Sequence, residues 1–136
     1  MMKKAAYLFL SLLSLFFVCG CSNDEPDAKD SKAEYYVKYE VFAKTQHYNV
    51  DKTINFTIDK GAKTIVLTGT PETTWKGTYG PVKKGFAAEL TANVRENYQY
   101  DKNFHVRIYV CRRDEPFVIK AEQEGESISL RYVIDY

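Results

Sequence analysis

The chain has 136 residues, 45% hydrophobic, 15% aromatic and 27% charged, which is enough for one domain with a tail. That balance is too apolar and too aromatic for a disordered chain, and seven Gly with four Pro are too few for a low-complexity or collagen-like one. A formal net charge of +1 supplies no field that would recruit nucleic acid.

Met1-Met2-Lys3-Lys4 is a short basic start, and residues 5–18 are apolar except for Ser11 and Ser14. A basic n-region followed by a short h-region is the layout of a secretory signal. The stretch falls short of the roughly 20 apolar residues a membrane-crossing helix needs. It ends at Val18-Cys19-Gly20-Cys21, an aliphatic residue and two small residues before a Cys. This resembles the lipobox of bacterial lipoproteins, which implies removal of residues 1–20 and acylation of Cys21. Cys19 fits less well, because Val18 would then occupy the cleavage position. Processing would remove Cys19 and block Cys21, leaving Cys111 without an intramolecular partner, so the fold is expected to hold without a disulfide. Loss of Lys3 and Lys4 would take the formal charge from +1 to −1.

Residues 22–33, SNDEPDAKDSKA, are polar, with four acidic residues, one Pro and no apolar period. They read as a disordered tether, and a flexible coil of that length spans roughly 20 Å. The Asn23-Asp24-Glu25 cluster just after the Cys resembles the export signal of Bacteroidetes surface lipoproteins, which implies the outer membrane and the cell surface, with a periplasm-facing anchor as the alternative. On composition alone a plain solvated spacer fits equally well.

From residue 34 the chain alternates. Tyr35, Val37, Tyr39, Val41 and Ala43 share one parity, and Tyr36, Lys38, Glu40 and Lys44 the other, with Phe42 as the exception. That period of two predicts a half-buried strand. A polar loop at 45–52 leads to a second strand at 53–59, with Ile54, Phe56 and Ile58 inward. Asp59-Lys60-Gly61-Ala62 is turn chemistry, and 63–68 is a third strand rich in β-branched residues. A short run at 72–79 carries Trp75, and Gly80-Pro81 with Lys83-Lys84-Gly85 marks a further turn region. Residues 86–94 fit both a strand and a helix stripe; the neighbouring strands, with Thr91 and Asn93, favour a strand. Residues 96–103 read as a Tyr-bearing loop. Residues 104–111 form the clearest strand, with Phe104, Val106, Ile108 and Val110 inward and His105, Arg107, Tyr109 and Cys111 outward. Residues 112–116 turn the chain, 117–121 form a strand, 122–126 a turn, and 127–136 the last strand.

Seven or eight strands over residues 34–136 predict a single all-β domain, an antiparallel immunoglobulin-like β-sandwich, with a barrel as the alternative. Shared parity places Ile54, Phe56, Val106, Ile108, Val110 and Leu130 in one core. No Cys-Trp-Cys spacing of the antibody type is present.

The stretches Lys38-Tyr39-Glu40-Val41, 54–61, Thr73-Thr74-Trp75, 88–94, 105–110 and 127–134 follow an order that resembles the small MmpS-type envelope proteins of mycobacteria and related small Bacteroidetes lipoproteins. The match departs at Arg112-Arg113-Asp114-Glu115-Pro116, where that family has a shorter turn. The resemblance implies a small tethered sandwich, an accessory to a larger envelope complex, and it supplies no active site.

Catalytic signatures are not found. His47 and His105 lie on separate segments, and no Cys-x-x-Cys, His-Glu-x-x-His, Gly-x-Ser-x-Gly or phosphate loop occurs. The expectation is a protein that is not an enzyme and has neither cofactor nor metal. Glu122, Glu124 and Glu126, with Asp114 and Glu115 nearby, could offer oxygen ligands to Ca²⁺, but a solvated hairpin tip fits them better. Cys111 reads as a small, half-buried strand residue. Tyr is the suggestive residue type, with eleven in the chain. Tyr98 and Tyr100 in the polar loop, and Tyr36 and Tyr109 on outward strand faces, form a candidate contact surface. Trp75, beside Gly77 and Gly80, is either a core plug or a platform for a sugar ring. The expected function is a non-catalytic envelope binding module for a glycan or protein. The alternative is an accessory subunit that pairs through a sheet edge.

Overall fold

The computed structural model describes residues 32–94 and 101–135. Eight strands follow in order: β1 (Tyr35–Thr45), β2 (Lys52–Ile58), β3 (Gly61–Leu67), β4 (Glu72–Val82), β5 (Ala87–Val94), β6 (Lys102–Arg112), β7 (Val118–Gly125) and β8 (Ile128–Val133). They form two antiparallel four-stranded sheets, sheet I in the order β4-β1-β6-β7 and sheet II in the order β3-β2-β5-β8. The chain is an all-β sandwich. No helix long and apolar enough to cross a membrane occurs among the described residues.

Alternation sets which face each strand buries. Tyr35, Val37, Tyr39, Val41 and Ala43 of β1 and Phe104, Val106, Ile108 and Val110 of β6 are all buried, and the register pairs Tyr39 with Ile108 and Val41 with Val106. Ile54 and Phe56 of β2 and Ala88, Leu90 and Ala92 of β5 supply the facing layer, with Leu130 half-buried against it. A buried branched or aromatic side chain contributes about 1.5–3 kcal/mol, so this layer is the main source of stability. Residues 86–94, ambiguous in the sequence, are strand β5. Their alternation is used as the register requires, with Leu90 opposite both Phe56 and Leu130.

Four aromatic rings join the sheets. Phe56 lies 4.9 Å from Trp75, 5.0 Å from Tyr79 and 5.4 Å from Tyr39 between ring centroids. Gly77 makes this possible: a Cβ there would lie 2.8 Å from both the Trp75 and the Tyr79 ring. The Tyr39 hydroxyl crosses the core and donates to the Thr57 carbonyl at 2.7 Å. Burial pushes its pKa up to about 12. The Thr57 hydroxyl in turn donates to the Ala87 carbonyl and accepts from the Glu89 amide, bridging β2 and β5 where their ladder ends.

Two expected turns are strand. Gly80-Pro81 lies inside β4, where the register against β1 shifts between Tyr35 and Val37. β4 is an edge strand, and a bulge on an edge accommodates a residue without an amide hydrogen. Gly80 has φ +149°, and a Cβ there would lie 2.8 Å from the Tyr35 carbonyl oxygen. Residues 122–125 likewise extend β7 and do not form a turn. Glu122 and Glu124 alternate with Gln123 and Gly125, and the outward carboxylates meet basic and amide groups on β6.

Lys52 is the surprise inside. It opens β2 with the same parity as Ile54 and Phe56 and is fully buried. Its ammonium donates to the Thr70 carbonyl at 2.9 Å and to the Thr73 hydroxyl at 3.4 Å, fastening the β3–β4 connection. Burial lowers its pKa, against the opposing pull of Asp51.

Candidate contact face

The outer face of sheet I carries the outward-parity residues of its four strands. The register sets Lys76, Glu40, Arg107 and Glu122 side by side across β4, β1, β6 and β7. The charges alternate in sign along that row, and each carboxylate is shared. Glu40 meets Lys76 at 3.0 Å and Arg107 at 3.3 Å, while Glu122 accepts from Arg107 Nε at 2.7 Å and contacts the His105 ring. Hydrogen bonding to Lys76, supported by Arg107, holds the Glu40 carboxyl below its ordinary range. Arg107 first, and His105 second, does the same for Glu122. One row towards the chain start, Lys38 lies 4.0 Å over the Tyr109 ring and 5.0 Å from the Phe117 ring. The Tyr109 hydroxyl reaches Glu40 at 3.5 Å, linking the aromatic end of the face to the charged row. Phe42, 38% exposed, lies on the other side of that row, opposite His105.

The five candidate contact residues separate. Tyr36 and Tyr109 share this face, with Tyr36 opposite Cys111 and Tyr109 opposite Lys38. Tyr36 lies against Gly80, whose absent side chain leaves room for the ring. Trp75 has the opposite parity and is half-buried against Phe56. Tyr98 and Tyr100 lie outside the described residues. Cys111 is a correction: it is buried, at 5% exposure. The β6–β7 connection folds back over it, with the Cys111 thiol 3.9 Å from the Arg113 carbonyl. Burial raises the thiol pKa and so disfavours the reactive thiolate.

The sequence reading missed the ionic row. Its signal was the outward parity of Glu40, Arg107 and Glu122; what was lacking was the register that makes them neighbours. It also missed an open groove of about 500 Å³ at the far end of the sandwich, lined by Lys44, Gln46, Asp101, Lys102, Asn103 and Glu126. Among the described residues no group of three His, Cys, Asp or Glu side chains is placed to hold a metal ion. No family model, curated protein or solved structure matches the chain.

Proposed function

We propose that this is a non-catalytic envelope lipoprotein, anchored to the outer membrane through Cys21 and displayed at the cell surface as a binding module. Its contact surface is the outer face of sheet I, and its ligand is a protein or a glycan. The observation that carries the reading is the grouping of Tyr36, Lys38, Tyr109 and Phe117 beside the alternating charges of Glu40 and Arg107 on one sheet face. Tyr109 is held by Lys38 on its ring and Glu40 at its hydroxyl, so little side-chain entropy is lost when a partner covers it.

In-cell photo-crosslinking from position 36, with and without Tyr109→Ala, tests the face. A partner band that disappears in the variant while the melting temperature stays within a few degrees supports the reading. An unchanged band sinks it. Intact mass of the protein extracted from membranes tests the anchor, because an unmodified Cys21 is incompatible with it. An accessory role through strand pairing is favoured by a different observation: Val118 and Ile119 are 53% and 47% exposed on edge strand β7.

A further inference from the structure

The chain enters β1 at a defined end of the sandwich. Tyr35, the first residue of β1, pairs with Val82, the last of β4, and the Glu34 carbonyl accepts from the Arg113 amide. The same end carries the β2–β3 turn and the β4–β5 connection. Asp59 of the first and Lys83 and Lys84 of the second line one shallow depression with Pro81, Val82 and Phe86. Lys60 follows Asp59 in the turn. Lys63 reaches from β3 towards β4, with its ammonium 5.8 Å from the centre of the Tyr79 ring. Lys60, Lys63, Lys83 and Lys84 are all exposed, and no ion pair engages any of them among the described residues. Asp59 lies in the depression, Asp135 follows Ile134, whose carbonyl accepts from the Gly85 amide at 2.7 Å, and across the same end are Glu34, Asp114, Glu115, Arg112 and Arg113.

The far end has the opposite balance. Asp51, Glu72, Asp101, Glu124 and Glu126 gather there, against Lys102 and a Lys44 engaged by Glu72 at 3.3 Å. The domain is therefore polar along its strands, with four exposed lysines outside any described ion pair at the end where β1 begins.

We infer that the lysine-bearing end, formed by Lys60, Lys63, Lys83 and Lys84, docks on the phosphate-bearing headgroups of an anionic lipid surface. The inference rests on the anchored reading, since a lipid on Cys21 followed by ten residues, whose covalent reach is at most about 35 Å, keeps this end near the membrane. The orientation then follows from charge: the lysine end is drawn to the headgroups, the acidic end is turned away, and the outer face of sheet I stands clear at the side of the domain. Each lysine near an anionic surface multiplies partitioning by about fivefold, and the gain fades beyond a Debye length.

The core is built from residues between Ala33 and Ile134, so the unlipidated chain 22–136 contains all of it and serves for the test. Its co-sedimentation is measured with vesicles of phosphatidylcholine and phosphatidylglycerol in equal parts, and with vesicles of phosphatidylcholine alone. The expected result is salt-sensitive binding to the mixed vesicles only. That binding is lost in the combined Lys60→Gln, Lys63→Gln, Lys83→Gln, Lys84→Gln variant and kept in Lys44→Gln with Lys102→Gln, both at the far end. A second combination that leaves Lys63 in place guards against a folding defect from losing its contact with Tyr79. Equal binding to both vesicles, or binding that survives the fourfold change, overturns the inference. Calorimetric binding of inorganic phosphate without preference for the mixed vesicles also overturns it, in favour of a small-anion site. Selective binding by a chain whose native form has an unmodified Cys21 removes the anchor and leaves the lysine surface standing. An acylated native chain whose soluble form ignores anionic vesicles does the reverse.

Discussion

Strands β1–β4 and β5–β8 follow the same path with the two sheets exchanged. In each half the second and third strands form a hairpin in one sheet, while the first and fourth pair in the other. Aligned on Lys52 and Lys102, which open β2 and β6, the halves fill equivalent rows differently. Tyr39 faces Gly77 in the first half; in the second, Ala88 faces Tyr132. One ring fills each row, but the opposite strand supplies it. Trp75 corresponds to Leu130, and Phe56 to Val106. Both halves place a Lys of the third strand over a Tyr of the fourth: Lys63 with Tyr79 at 5.8 Å and Lys120 with Tyr132 at 6.0 Å. In the row of Tyr39 and Ala88 each half therefore holds one ring on a different strand, whereas the rows of Trp75 and Phe56 are aromatic in the first half only.

The sharpest way to break the comparison is at Phe56 and Val106. The Phe56 ring touches Tyr39, Trp75 and Tyr79, so Phe56→Ala opens a cavity among three rings that cannot all collapse. A loss of about 3–5 kcal/mol is expected in urea unfolding, against about 2 kcal/mol for Val106→Ala. Equal losses would mean that the aromatic half has no special share in stability.

The two opening lysines come next. Lys52 is fully buried, whereas Lys102 is half-exposed. Lys52→Glu points a carboxylate at the Thr70 carbonyl and is expected to cost about 3 kcal/mol or more, while Lys102→Glu stays within about 0.5 kcal/mol. Lys52→Met is the informative partner. The Thr70 carbonyl keeps the Thr73 hydroxyl as a donor at 3.2 Å, so removing the ammonium leaves no orphan there. The melting temperature of Lys52→Met is expected to equal or exceed that of the parent. A steep fall would show that the ammonium itself holds the β3–β4 connection.

These contrasts also mark what was legible beforehand. Parity alone placed β1, β2 and β6, because a strand buried on one face exposes its period directly; β5 also fitted a helix stripe and was decided by its neighbours with Thr91 and Asn93. Parity failed in the second half of β7, where the inner positions are Gln123 and Gly125 rather than large apolar residues, so residues 122–126 read as a turn. It failed at the end of β4, because Gly80-Pro81 is turn chemistry in isolation and a bulge only beside β1. Lys52 was invisible, since its burial depends on Thr70 and Thr73 arriving from another connection. Of the contact face, Tyr36 and Tyr109 were legible from parity. The row joining Glu40, Arg107 and Glu122 required the register of three strand pairs.

The smallest expected effect compares the outer faces of the two sheets. On sheet II, Glu89 and Arg131 pair at 3.0 Å with both side chains more than half exposed, so Glu89→Gln should change stability by less than about 0.5 kcal/mol. On sheet I, Glu40 is 17% exposed and carries both Lys76 and Arg107. Its carboxyl titrates below the ordinary value of 4.5 when folded, so folding is favoured by the ionised form. The contribution is fully present above about pH 4.5 and is lost as pH falls through the lowered folded pKa, because the unfolded chain binds the proton first. Glu122, lowered by Arg107 and His105, acts in the same direction. Melting temperature followed down through that range should therefore decline in the parent and decline less in Glu40→Gln, which begins about 1 kcal/mol less stable at neutral pH. If the two curves stay parallel, the shared carboxylate adds nothing beyond an exposed pair, and the ionic row orders the face without stabilising the fold.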